Sequence, residues 1–157
     1  MITAVSGKVA RVGTDWVDID LGAVSVRVNI PTSTVDQVGA PGGAIRLFTS
    51  MQVREDSLTL YGFASEDSKR SFESLLGING VGPRLALAVL SMFSPEDLVA
   101  AVASEDVAGF SKVPGVGKKT AGRIVLELKG QLSPEWEVTA QGGGIGDVLE
   151  SLTALGY

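Results

Sequence analysis

The 157-residue sequence contains neither cysteine nor histidine. Without cysteine there are no disulfides, zinc fingers, thiol nucleophiles or iron–sulfur ligands. Without histidine there is no imidazole general base, no histidine-based triad and none of the commonest metal ligand. Aromatic residues make up only 6%. No stretch reaches the ~18 apolar residues that a membrane span needs. Met1 to Lys8 shows no basic segment followed by an apolar run, so no signal peptide is expected. These absences point to a soluble, cytoplasmic protein with little equipment for covalent catalysis and with no cofactor or metal. What is present is 45% hydrophobic and 20% charged residues, a balance suited to a packed core rather than to disorder. The length suggests one domain or two small ones.

A net charge of −5 argues at first against nucleic acid. Its distribution argues the other way. Residues 1–67 carry 5 basic and 8 acidic side chains, residues 68–130 carry 8 basic and 6 acidic, and residues 131–157 carry 4 acidic and none basic. The middle of the chain is therefore basic between two acidic flanks.

The first sixty-odd residues read as β-structure. Val24 to Ile30 and Ile45 to Arg54 alternate apolar and polar with period two, apart from Phe48 on the polar face. Ile2 to Val12, with a break expected at Gly7, Trp16 to Leu21 and Leu58 to Phe63 complete five strands. Turn signals such as Gly39-Ala40-Pro41-Gly42-Gly43 and Glu55-Asp56-Ser57 separate them. Five strands in so short a span suggest a closed sheet, because closure removes exposed edges. A five-stranded barrel of the oligonucleotide/oligosaccharide-binding (OB) type fits, with a simple meander as the alternative.

At Ser65 the pattern becomes helical. Phe72, Leu75 and Leu76 share one helix face, Ser94-Pro95-Glu96-Asp97 is a helix start, and Ser104-Glu105-Asp106-Val107 is another. Ala121, Ile124, Val125 and Leu128 mark a further helix. The fold class expected is thus β followed by α in separate domains. A barrel occupies 1–64 and an all-α unit of about five short helices occupies 65–132. A flexible linker over 133–145 contains Gln141-Gly142-Gly143-Gly144. Residues 146–157 form the first helix of a small C-terminal domain, cut short after Leu155-Gly156-Tyr157.

The helical part contains an internal repeat. Residues 76–86 and 111–121 align at an offset of 35, with Gly-Val-Gly in both copies and an alanine four residues after the last glycine. Two glycines permit positive φ and a close approach of another molecule to the main chain. The following helix begins with unpaired N–H groups at the positive end of its dipole, a setting suited to phosphate. This is the helix-hairpin-helix motif, which contacts the DNA backbone rather than base edges. The competing reading of a single copy is a glycine C-cap followed by a new helix. Two matched copies, the second flanked by Lys112, Lys118, Lys119 and Arg123, favour phosphate. The expected phosphate contacts are Asn79, Gly80, Val81, Gly82 and Arg84 in the first copy, and Gly115, Val116, Gly117, Lys118, Lys119 and Arg123 in the second. The run Gly115 to Thr120 only partly resembles a nucleotide-binding P-loop. Lys112 stands where its first glycine belongs and Lys119 where its serine or threonine belongs, so no ATPase site is expected.

With both hairpins placed, the chain resembles the RuvA family, the Holliday-junction-binding subunits of bacterial branch-migration complexes. The resemblance covers nearly the whole chain. It rests on Val53 to Phe63, on Gly80 to Ala86, on Val113 to Ala121, and on the order of strands, hairpins, linker and final helix. It implies sequence-independent binding of four-way junction DNA in recombination and repair, and a homotetramer of which two can enclose a junction as an octamer. It implies the hexameric ATPase RuvB as a partner held through the C-terminal domain, and the RuvC resolvase as a further one. It also implies that Glu55 and Asp56 form an acidic pair at the tetramer centre that repels phosphates and separates strands. Without the resemblance, Glu-Asp in a turn reads as a soluble loop or, less well, as half of a nuclease metal site. Two other functions stay open on the residues alone. One is a helix-hairpin-helix repair nuclease or glycosylase. The other is a single-stranded-DNA-binding OB protein using Trp16 and Phe48 for stacking.

Overall fold

A computed structural model describes residues 1–131. The linker and last helix expected over 133–157 lie outside the described residues.

Five strands form a closed barrel. They are β1 (Ala4–Val12), β2 (Trp16–Asp20), β3 (Ser25–Asn29), β4 (Ala44–Val53) and β5 (Leu58–Phe63), in the spatial order β1-β2-β3-β5-β4 with β4 returning to β1. All pairings are antiparallel except the short parallel contact of β3 with β5. The meander is thereby ruled out, since β3 and β5 are neighbours. Alternation along each strand sends Val5, Val9, Val17, Ile19, Val28 and Leu47 into the barrel interior, where they are buried together with Ile30 from just beyond β3. Gly7 does not interrupt β1. It pairs in register with Ile45, and a Cβ there would stand 2.3 Å from the Asp20 carbonyl oxygen, so glycine lets β1 and β2 lie close. The irregularity falls instead between Val9 and Arg11, as a bulge.

One element had no counterpart in the sequence reading. A single-turn helix, α1 (Thr32–Val35), sits between β3 and β4. It packs on the helical unit that follows. That unit consists of α2 (Glu66–Leu76), α3 (Pro83–Met92), α4 (Pro95–Ala103), α5 (Val107–Ser111) and α6 (Lys118–Gln131). Ser65 and Ser94 cap α2 and α4, each hydroxyl accepting from the N–H three residues on. The start expected near Ser104 falls at Asp106, whose carboxylate accepts the Gly109 N–H at 2.9 Å.

The helices enclose one core that includes Phe72, Leu75, Ile78, Val89, Leu98, Phe110, Ile124 and Leu128. Phe63 from the end of β5 belongs to this core rather than to the barrel's. Its ring lies 4.8 Å from Phe72, and Tyr61 lies 5.1 Å from the same ring. At the other end of the junction, the Ser91 hydroxyl accepts the Thr32 N–H at 3.0 Å, and the Ser33 hydroxyl donates to the Leu90 carbonyl at 3.2 Å. Barrel and helices are therefore joined by an aromatic contact on one side and by the α1–α3 hydrogen bonds on the other.

Candidate nucleic-acid interface

The two glycine hairpins share one hydrogen-bond skeleton. In the first, Gly77 N–H donates to Ser74 O, Ile78 to Leu75, Val81 to Ile78, and Ala86 to Gly82. In the second, Lys112 N–H donates to Gly109 O, Val113 to Phe110, Val116 to Val113, and Ala121 to Gly117. Every donor and acceptor is displaced by the same 35 residues found in the sequence. Such agreement in a turn is set by the glycines and by the β-branched pairs Ile78/Val81 and Val113/Val116, all four buried in the shared core. Each loop is thereby anchored from below.

The glycines divide the work. Gly80 and Gly115 take φ of 91° and 89°, the left-handed region that a side chain disfavours. Gly82 and Gly117 are not in that region, and a Cβ on either would meet nothing within 4 Å. Conformation and internal packing therefore leave the second glycine of each pair unexplained. Bare main chain facing open space at a helix start is what a closely approaching ligand requires.

The amides follow. Because Ala86 N–H makes the first intrahelical bond of α3, the N–H groups of Gly82, Arg84 and Leu85 precede it and remain at the helix's positive end. In α6 the first such bond belongs to Ala121, so the N–H groups of Lys118, Lys119 and Thr120 are in the same position. Val81 and Val116 are not. Their side chains are buried and their N–H groups close the turns. The sequence reading placed both among the phosphate contacts; in the fold their side chains root the loops in the core.

Around these amides the side chains are cationic. Arg84, Lys112, Lys118, Lys119 and Arg123 are exposed. The ion pairs among the described residues involve Arg27, Arg70 and Lys129, so none of those five cations forms an ion pair among the described residues. Asn79 is exposed as well, but its carbonyl oxygen accepts a 3.0 Å hydrogen bond from Nη1 of Arg123. Leu85 on α3 in turn approaches the second hairpin, with Cδ1 3.1 Å from where a Cβ on Gly115 would stand. Each hairpin is thus touched by the helix following the other. No sequence signal marked these two contacts, because their spacing is not that of the repeat.

The acidic pair lies elsewhere. Glu55 and Asp56 are exposed at the tip of the β4–β5 hairpin, in a turn closed by Arg54 N–H to Ser57 O at 2.8 Å. The next cross-strand pair, Val53 and Leu58, is 64% and 70% exposed, an apolar surface directly beneath the two carboxylates. Among the described residues no three acidic side chains converge as a metal site would need. Trp16 and Phe48 are both half-buried. The Arg27 guanidinium covers the Trp16 ring at 3.7 Å while also holding the Asp18 carboxylate at 2.8 and 3.0 Å. That hydrogen-bonded arginine keeps Asp18 below the usual carboxylate range. With its face occupied, Trp16 is poorly placed to stack on a base.

Comparison with known proteins agrees with this geometry. Residues 1–62 match the family described as "RuvA N terminal domain", and residues 72–129 match the "SAM-like Helix-hairpin-helix tandem". The chain is 43% identical to a protein of Herpetosiphon aurantiacus over 163 aligned residues, covering 100% of this chain and 83% of that one. It is 44% identical to a protein of Symbiobacterium thermophilum (100% and 82% covered) and 46% identical to one of Acidothermus cellulolyticus (100% and 81%). Each of the three is named "Holliday junction branch migration complex subunit RuvA".

Proposed function

The chain belongs to the RuvA family, and from that premise we propose that it binds four-way (Holliday) junction DNA by shape and phosphate position, independently of sequence, as the recognition subunit of a branch-migration complex. The observation that carries this reading is the duplicated hairpin. Two helix starts present amides outside the intrahelical ladder, bare glycine backbone and exposed cations from one core. Such a surface suits the sugar-phosphate backbone and offers little for reading base edges. Gly80 and Gly115 shape the loops; the amides that follow Gly82 and Gly117 hold phosphate, and Arg84, Lys118 and Lys119 neutralise it.

The subunit supplies recognition, and the ATP-driven partner RuvB supplies work. No ATPase belongs to this chain, in keeping with the failed P-loop match at Lys112 and Lys119. RuvB engages residues beyond the linker at 133–145, RuvC shares the junction, and the complex acts in the cytoplasm. No single helix among the described residues is long and apolar enough to cross a membrane. The working form is a homotetramer, doubled to an octamer on DNA. The exposed Val53–Leu58 pair beneath the acidic turn supports a subunit contact there. Four copies bring about eight carboxylates from Glu55 and Asp56 near one axis. Their repulsion extends only about 8 Å at physiological salt, so it acts on strands at the crossover and holds the arms apart.

The test is a binding competition at fixed salt between a four-way junction and a linear duplex of the same sequence, with the mass of the complex measured alongside. We expect the junction to win by roughly a hundredfold through simultaneous engagement of several hairpins. Equal binding of the two DNAs, or a monomer on the junction, refutes the reading.

A further inference from the structure

Arg123 stands apart from the other hairpin cations. It belongs to α6, the helix of the second hairpin, yet its Nη1 donates at 3.0 Å to the carbonyl of Asn79 in the first hairpin, 44 residues earlier. The same atom is 3.7 Å from where a Cβ on Gly80 would stand. Gly80 is the residue at φ 91° on which the first loop turns. A planar guanidinium thus rests beside that turn and fixes the carbonyl that leads into it. Among the side-chain hydrogen bonds of the described residues, this one alone joins the two loops; the other bonds of the helical unit stay within a hairpin, cap a helix, or tie the helices to α1 or to the α4–α5 turn.

We propose that Arg123 is a positioning residue. It sets the first hairpin's loop relative to the second, and so fixes the distance between the two phosphate grips. The proposal rests on the DNA-binding role argued above, and it assigns Arg123 to the first hairpin rather than to the phosphate row of the second. Geometry rather than charge is the reason. A lysine keeps the cation, but its ammonium on a flexible stem lacks the planar guanidinium whose Nη1 reaches the Asn79 carbonyl and lies beside Gly80. A mispositioned first loop leaves the second hairpin able to hold one duplex backbone, so junction binding suffers more than duplex binding.

The experiment uses the full chain with Arg123→Gln and Arg123→Lys, alone and combined with Arg84→Gln in the first hairpin or Lys118→Gln in the second. The readouts are affinity for junction and for duplex, and the dependence of junction affinity on salt. We expect Arg123→Gln and Arg123→Lys to weaken junction binding alike, by about tenfold, and duplex binding much less. The Arg123→Gln effect should shrink in the Arg84→Gln background and stay additive with Lys118→Gln. Lys118→Gln itself should lower the salt slope by about one. In the DNA-free protein, Arg123→Gln should shift the backbone NMR signals of Asn79 and Gly80 while the thermal midpoint changes little. Full recovery in Arg123→Lys, or additivity with Arg84→Gln, makes Arg123 a plain phosphate contact and overturns the proposal alone. Unmoved Asn79 and Gly80 signals do the same. A wild-type chain that binds junction and duplex equally overturns the functional reading, and this proposal with it.

Discussion

Gly117 sits at the start of α6 with a backbone that any residue could adopt and with open space where a Cβ would point. Serine is a better helix N-cap than glycine by a few tenths of a kcal/mol. Gly117→Ser should therefore keep or slightly raise the thermal midpoint while weakening junction binding, by about tenfold if one charged hydrogen bond is lost. Unchanged affinity in that variant would show that no phosphate approaches the main chain at this point. Gly115→Ala is expected to behave differently, because φ of 89° and the nearby Leu85 strain the folded loop itself. The glycines and the cations were legible in the sequence, since spacing and residue type mark both. That Val81 and Val116 face inward was not, because a Gly-Val-Gly string does not say which amide the turn will use. The partner of Arg123 was hidden for a different reason: it depends on how two hairpins pack, and nothing local records it.

The short helix α1 carries more than its length suggests. Ser91 Oγ donates to Leu87 O at 2.7 Å and accepts the Thr32 N–H at 3.0 Å, tying the end of α3 to the barrel. Ser91→Ala removes both bonds. Thr32 is exposed, so water replaces part of the loss, and the expected cost is about 0.5–1 kcal/mol. The sharper signature is faster hydrogen exchange at the Thr32 amide, with exchange inside the barrel unchanged; an unaltered Thr32 rate refutes the clamp. Strands and capped helices were readable because period-two alternation and Ser-Pro-Glu-Asp starts repeat a physical requirement over several residues. A four-residue turn after Pro31 has no period to read. Its existence follows from closing the barrel against α3, a constraint that appears only in three dimensions.

For the whole molecule, charge enters both the pH dependence of stability and the proposed binding of DNA. The Arg27 hydrogen bond lowers the Asp18 pKa, and the Lys129 hydrogen bond and charge lower that of Glu105. A carboxylate with a depressed folded pKa stabilises the fold above its unfolded value near 4 and loses that contribution as pH falls through the folded one. Stability should therefore drop on acidification below about pH 4, and Asp18→Asn should flatten that limb of a denaturation series. An unchanged acid limb would place the titration elsewhere. Neutralising the turn with Glu55→Gln and Asp56→Asn should leave the fold intact, since both side chains are exposed, and raise junction affinity while the arms become less separated by fluorescence transfer between their ends. Loss of junction binding in that variant would exclude a repulsive role. The excess of basic residues over 68–130 was plain in the sequence, whereas the join of barrel to helices through Phe63 and Phe72 had no local mark.

Ile78 and Val81 of one loop and Val113 and Val116 of the other are rooted in a single core. In the proposed reading, two grips rooted in one core and joined by Arg123 act as a gauge of fixed width. The chain can then compare the separation of DNA rails with its own dimensions, and base order reaches it only through how readily a given sequence bends to fit.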